Sequence, residues 1–66
     1  MNWDVIQGNW KQWKGKAQQQ WGELTDDELS KADGNRKELE GIIQEKYGVA
    51  KDEAERQVDE WMKKAS

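Results

Sequence analysis

The chain has 66 residues, 33% of them hydrophobic and 38% charged, a length that supports one small domain spanning residues 1–66 and no second. It contains no Cys and no His, which excludes disulfides, thiolate metal ligands and any His-based catalytic triad. Fourteen acidic against eleven basic residues leave a net charge of −3, a field that opposes phosphate backbones and anionic lipid.

The first predicted helix starts with Asn2 as N-cap and Asp4 in the first turn, where a carboxylate favours the positive end of the helix dipole. At about 100° per residue, Trp3, Ile6, Trp10, Trp13, Ala17 and Trp21 fall on one narrow apolar stripe. Gly8 and Gly15 lie on the opposite side of the wheel, and Gly22 reads as a closing glycine just past the last Trp. Thr25 and Glu28 have the spacing of a capping box, with Leu24 and Leu29 at the two positions of a hydrophobic staple. They open a short second helix from about Asp26 to Ala32.

Asp33-Gly34-Asn35 is turn chemistry. In the third predicted helix Leu39, Ile42, Ile43 and Tyr47 share a face, and Gly48 stops it. The fourth runs from about Lys51 to Lys64, with Ala54, Val58, Trp61 and Met62 inward. Its N-cap is poor, because Ala50 stands where Ser or Asp would serve. No run alternates with period two, so the expected fold class is all-α: four helices forming two packed α-hairpins, with no strands.

The glycines support that pairing. They fall at 8, 15 and 22 and again at 34, 41 and 48, and sliding Gly8–Leu29 onto Gly34–Glu55 matches seven of 22 positions. Two copies are too few for a solenoid, so the repeat reads as two related hairpins. No apolar run approaches the roughly eighteen residues of a membrane span. Met1-Asn2-Trp3-Asp4 lacks the basic and apolar stretches of a secretion signal, so a cytoplasmic location is expected.

Candidate sites are few. The Trp stripe could stack on bases or sugars, but five Trp in 66 residues are the main means this chain has of building a core, and core is the better reading. Trp3, near the terminus, is the one expected to be partly exposed. Lys11, Lys14 and Lys16 beside Trp10 and Trp13 form a small basic patch, and residues 1–22 carry three Lys against one Asp. Three lysines neutralise few phosphates, and the acidic remainder repels them, so nucleic-acid binding is disfavoured on these counts.

Asp26, Asp27 and Glu28 lack the ligand spacing of a calcium loop and read as helix N-terminal carboxylates. No catalytic, cofactor-binding or metal-ligating set emerges. The interior glycines Gly8, Gly15 and Gly41 stand out, because each costs up to about 1 kcal/mol against Ala in a helix. With Lys11 and Lys14 they define a candidate interaction face for a protein partner.

Four stretches together carry a family resemblance. They are Gly8-Asn9-Trp10-Lys11-Gln12-Trp13-Lys14-Gly15-Lys16, Trp21-Gly22-Glu23-Leu24-Thr25-Asp26-Asp27-Glu28-Leu29, Gln44-Glu45-Lys46-Tyr47-Gly48, and Lys51-Asp52-Glu53-Ala54-Glu55 with Trp61. In order and spacing the chain resembles the CsbD-like family of small bacterial stress-induced proteins over nearly its whole length. The resemblance implies two packed α-hairpins similar to the sterile-alpha-motif-like class, in a cytoplasmic protein made under general stress. It implies no reaction, cofactor or functional residue.

Two positions depart from the family pattern: Trp13 stands where Phe is common, and Lys31-Ala32 replaces a more apolar pair. The second departure implies a lightly anchored short helix. The functional expectation is a non-enzymatic stress-response protein acting through its hydrated surface or weak protein contacts, in keeping with a mean hydropathy of −1.34 that resembles hydrophilins. The alternatives are a specific protein-interaction module using the glycine face and, third, weak nucleic-acid binding.

Overall fold

A computed structural model describes residues 2–65, the last of them by its backbone alone. Five helices follow in chain order: α1 (Trp3–Gly8), α2 (Trp10–Gln20), α3 (Asp26–Ala32), α4 (Arg36–Tyr47) and α5 (Lys51–Ala65). No strand occurs among the described residues, and no helix among them is long and apolar enough to cross a membrane. The all-α expectation holds. The count of four does not, because the first predicted helix is two.

The break falls at Asn9, whose backbone leaves helical geometry at φ −120° and ψ 35°. Its amide is shared between the carbonyls of Val5 and Ile6, each at 3.2 Å, and its side-chain amide donates to Val5 O at 3.0 Å. An Asn side chain offers the backbone this kind of local alternative to the helix ladder. The Asn9 carbonyl then accepts from Gln12 and Trp13, starting α2. The apolar stripe continues across the break, which is why periodicity alone does not register it.

The caps of α1 and α3 follow from sequence chemistry. Asn2 accepts from the Val5 amide, and Thr25 with Glu28 completes a reciprocal capping box at the start of α3, with Leu24 and Leu29 buried beside it. The end of α2 corrects the expectation for Gly22, since positive φ among the described residues occurs at Asp33, Gly34 and Gly48 only. Instead, Trp21 turns out of the helix while its amide still reaches Ala17 O, and the turn closes with Leu24 N–H on Trp21 O at 3.0 Å. That rotation carries the Trp21 ring into the core, where it is 3% exposed.

Between α3 and α4, Asp33 and Gly34 take successive left-handed conformations, and Asn35 caps α4 by accepting from the Glu38 amide. Gly48 ends α4 in the left-handed conformation that glycine adopts without strain. Ala50 flanks α5 with no side-chain cap to offer. Asp52 and Glu53 in the first turn supply the favourable negative charge instead.

Packing pairs α2 with α3 and α4 with α5, joined through α3 against α4. The 26-residue repeat falls on these two pairs: Asn9 and Asn35 both precede a helix, and Trp13/Leu39 and Ala17/Ile43 are buried at matched positions. The correspondence fails within the second helix of each pair, where buried Leu29 falls opposite exposed Glu55. Tyr47 also departs from its expected inward place, standing 38% exposed with its hydroxyl accepting from the Glu23 amide. Glu40 is buried on α4 instead, with Arg36 Nε donating to Oε2 at 2.8 Å.

The core is an indole cluster. Trp61 lies 5.2, 5.8 and 6.3 Å from the ring centroids of Trp21, Trp13 and Trp3, mostly edge to face, and Trp3 is 6.2 Å from Trp10. Ile6, Ala17, Leu24, Leu29, Ala32, Leu39, Ile43, Ala54 and Val58 fill the space around them, with Ile42, Met62 and Trp3 at the margin. Three indoles also donate across helix boundaries, Trp3 to Gly34 O at 2.8 Å, Trp10 to Leu29 O at 2.8 Å and Trp21 to Gln57 Oε1 at 3.0 Å. The short α3, despite Lys31-Ala32, is thereby held at Leu29 and again by Lys14, which reaches Asp26 and Ser30.

Candidate functional site

Gly8 closes α1, while Gly15 and Gly41 lie inside α2 and α4. All three are exposed, and a Cβ added at any of them would meet nothing within 4 Å. No close helix contact inside the fold requires them. Gly34 is the contrasting case: it is buried, has φ +80°, and a Cβ there would sit 3.1 to 3.3 Å from Gln7. The one glycine that internal packing demands is in the turn, outside the expected face.

Lys11 and Lys14 come together in a cleft between α2 and α3, lined also by Trp10, Ser30 and Asp33. Lys14 is engaged there, 3.1 Å from Asp26 Oδ1 and 3.0 Å from Ser30 Oγ. Gly41 lines a separate cleft with Lys31, Lys37, Glu38, Ile42 and Glu45. The glycines and lysines of the expected face therefore do not share one depression.

The acidic residues at the start of α3 serve the fold. Glu28 accepts from the Thr25 amide at 3.0 Å and pairs with Lys46 at 3.1 Å, and these contacts, the Thr25 amide first, hold its carboxyl below the usual carboxylate range. On α5, Arg56 bridges Glu53 and Glu60 at 2.6 and 2.7 Å. Hydrogen bonds from Arg56 and then Gln57 lower the Glu53 carboxyl, and the carboxylates raise the Arg56 guanidinium. These shifts belong to caps and surface ion pairs on helices.

Two arrangements lie beyond what the sequence reading singled out. A groove along α4 and α5 carries Arg36, Glu40, Arg56 and Asp59 among others and mixes both signs of charge. Its signal was available in the Arg36/Glu40 spacing of four residues. A second depression joins the end of α2 to the end of α5 through Lys16, Gln19, Gln20, Trp61 and Lys64. Lys16 was legible as part of a basic patch, but its neighbourhood with Lys64 is tertiary.

The CsbD-like family model matches residues 4–56. The chain belongs to the CsbD-like family. It is 55% identical over 64 residues to the UPF0337 protein YjbJ of Escherichia coli O6:H1, covering 97% of this chain and 93% of that protein. Similar likeness extends to a UPF0337 protein of Pectobacterium atrosepticum, 56% identical over 92% of this chain and 88% of the relative. A UPF0337 protein of Bordetella pertussis is 54% identical over 92% of each chain. The residues that the family model spans include both glycine triplets, Trp10, Trp13 and Trp21, and the Thr25 capping box.

Proposed function

We propose that this CsbD-like protein is a non-enzymatic stress-response protein of the cytoplasm that protects other macromolecules through its hydrated surface and weak protein contacts. The supporting observation is the surface itself: among the described residues Val5 and Tyr47 are the only exposed large hydrophobics. A high-affinity protein interface normally has a buried apolar centre with aromatic anchors, and here four of the five Trp are committed to the core. The test is aggregation of a heat-labile enzyme, followed by light scattering with the folded chain present. Suppression beyond that given by an equal mass of a charge-matched unrelated protein supports the reading, and equality with that control contradicts it.

A second reading is favoured by one specific observation, the three helical glycines with open space above them. The fold gains nothing from their lower helix propensity, and bare backbone admits the close approach of a partner chain. On this reading Gly8, Gly15 and Gly41, with Lys11, are points of contact for a protein. Weak nucleic-acid binding is third, disfavoured by the net charge of −3.

A further inference from the structure

Lys16, Gln19 and Gln20 on α2 and Trp61 and Lys64 on α5 line an open cleft of about 260 Å³. No carboxylate lines it, although acidic residues outnumber basic ones in the chain by fourteen to eleven. The clefts at α4/α5, at Gly41 and at Lys11 each include at least one Asp or Glu. Lys14, Lys46 and Lys63 are paired with carboxylates, whereas Lys16 and Lys64 have no acidic partner among the described residues. The Lys16 ammonium lies 4.3 Å from the centre of the Trp13 ring, which fixes its position by a cation–π contact.

The floor of the cleft adds a third kind of donor. The indole N–H groups of Trp3, Trp10 and Trp21 have acceptors inside the fold, and those of Trp13 and Trp61 have none among the described residues. No buried side-chain nitrogen or oxygen among the described residues lacks a partner. The Trp61 N–H therefore has some exposure to solvent, and Trp61, 4% exposed overall, lines the cleft.

From these observations we infer that the cleft binds a small phosphate dianion, held between Lys16 and Lys64 with the Trp61 indole and the two Gln carboxamides as neutral donors. Two unpaired ammonium groups match a charge of about −2, which a phosphate monoester carries near neutral pH and a single carboxylate does not. The limited volume and the net negative molecule select a small anion over a nucleic acid, whose many phosphates the acidic remainder would repel. This inference stands apart from the glycine face.

The test is a titration of the full chain, isotopically labelled, with inorganic phosphate and separately with glucose 6-phosphate at constant ionic strength, followed by nuclear magnetic resonance. The expected result is a saturable shift of the Trp61 indole signal and of the Lys16, Gln19, Gln20 and Lys64 amides, with the internally bonded indoles of Trp3, Trp10 and Trp21 moving less. Lys16→Gln/Lys64→Gln should weaken binding about tenfold or more, as loss of charge-assisted hydrogen bonds requires, while Lys16→Arg/Lys64→Arg retains it. Tighter binding of glucose 6-phosphate identifies a phosphorylated small molecule, and equal binding identifies free phosphate; either supports the inference. Shifts that rise linearly as they do with sodium chloride, or saturation unchanged in the double Gln variant, overturn it. A single-stranded oligonucleotide that binds these residues more tightly than phosphate at the same salt overturns the small-anion assignment in favour of nucleic acid.

Discussion

At Gly34 a missing side chain is a structural requirement. Its φ of +80° disfavours any L side chain and the 3.1 to 3.3 Å approach of Gln7 would crowd a methyl group, and its carbonyl accepts the Trp3 indole N–H. Gly34→Ala should therefore destabilise the protein by about 1–3 kcal/mol, through strain at a left-handed residue and separation of α1 from the turn. The opposite sign is expected at Gly8 and Gly15, where Ala meets open space and should add about 0.5–1 kcal/mol per site. Urea unfolding of the three single variants checks both directions. Trp21→Ala should cost about 3–5 kcal/mol and bring so small a domain close to unfolding, since it removes the 5.2 Å contact with Trp61 and the bond to Gln57. A melting temperature near the parent's would show that Trp21 does not hold the core together.

Helices were legible here wherever side-chain chemistry and periodicity agreed. Thr25 and Glu28 announce the start of α3, and the capping box forms; Leu39, Ile43, Ala54 and Val58 recur at helical spacing and are buried. The break at Asn9 was not legible from the apolar stripe, which runs through it, yet the repeat had already set Asn9 against Asn35, the cap of α4. Tyr47 leaves its expected inward place and Glu40 is buried on the same helix because the outcome depends on side-chain partners, the Glu23 amide for one and Arg36 for the other. The glycine face was readable as a pattern of exposure but not as one cleft, because the positions of α1, α2 and α4 relative to each other are tertiary. The α3 cap also sets a pH dependence. Its Glu28 carboxyl titrates below its ordinary 4.5 in the folded protein, so its contribution is present above that value and is lost as pH falls through the folded value. Glu28→Gln should flatten the acid limb of stability, read as melting temperature against pH from about pH 3 to pH 7, and leave a smaller difference between the two ends than the parent shows.

Across the whole molecule, a chain extending 27 × 23 × 18 Å gathers its five indoles into one cluster and leaves a charged exterior. Trp61 on α5 touches indoles from both α1 and α2 and, through Trp21, the start of the turn leading to α3. Aromatic pairs contribute about 0.5–1.5 kcal/mol beyond the area they bury, so the cluster couples the two helix pairs into one cooperative unit. Near-ultraviolet dichroism and helix content should be lost together on heating, in a single transition. With four of its five indoles buried, the protein meets its surroundings through charged side chains and three uncovered helical glycines, and on the proposed reading this hydrated surface protects without a specific backbone contact. The direct measurement is survival of stressed cells that carry Gly8→Ala/Gly15→Ala/Gly41→Ala at the same abundance as the parent protein. Survival equal to that with the parent, from a variant that is more stable, is the predicted result; loss of protection from a variant at least as stable as the parent would contradict it and assign the function to the glycine face.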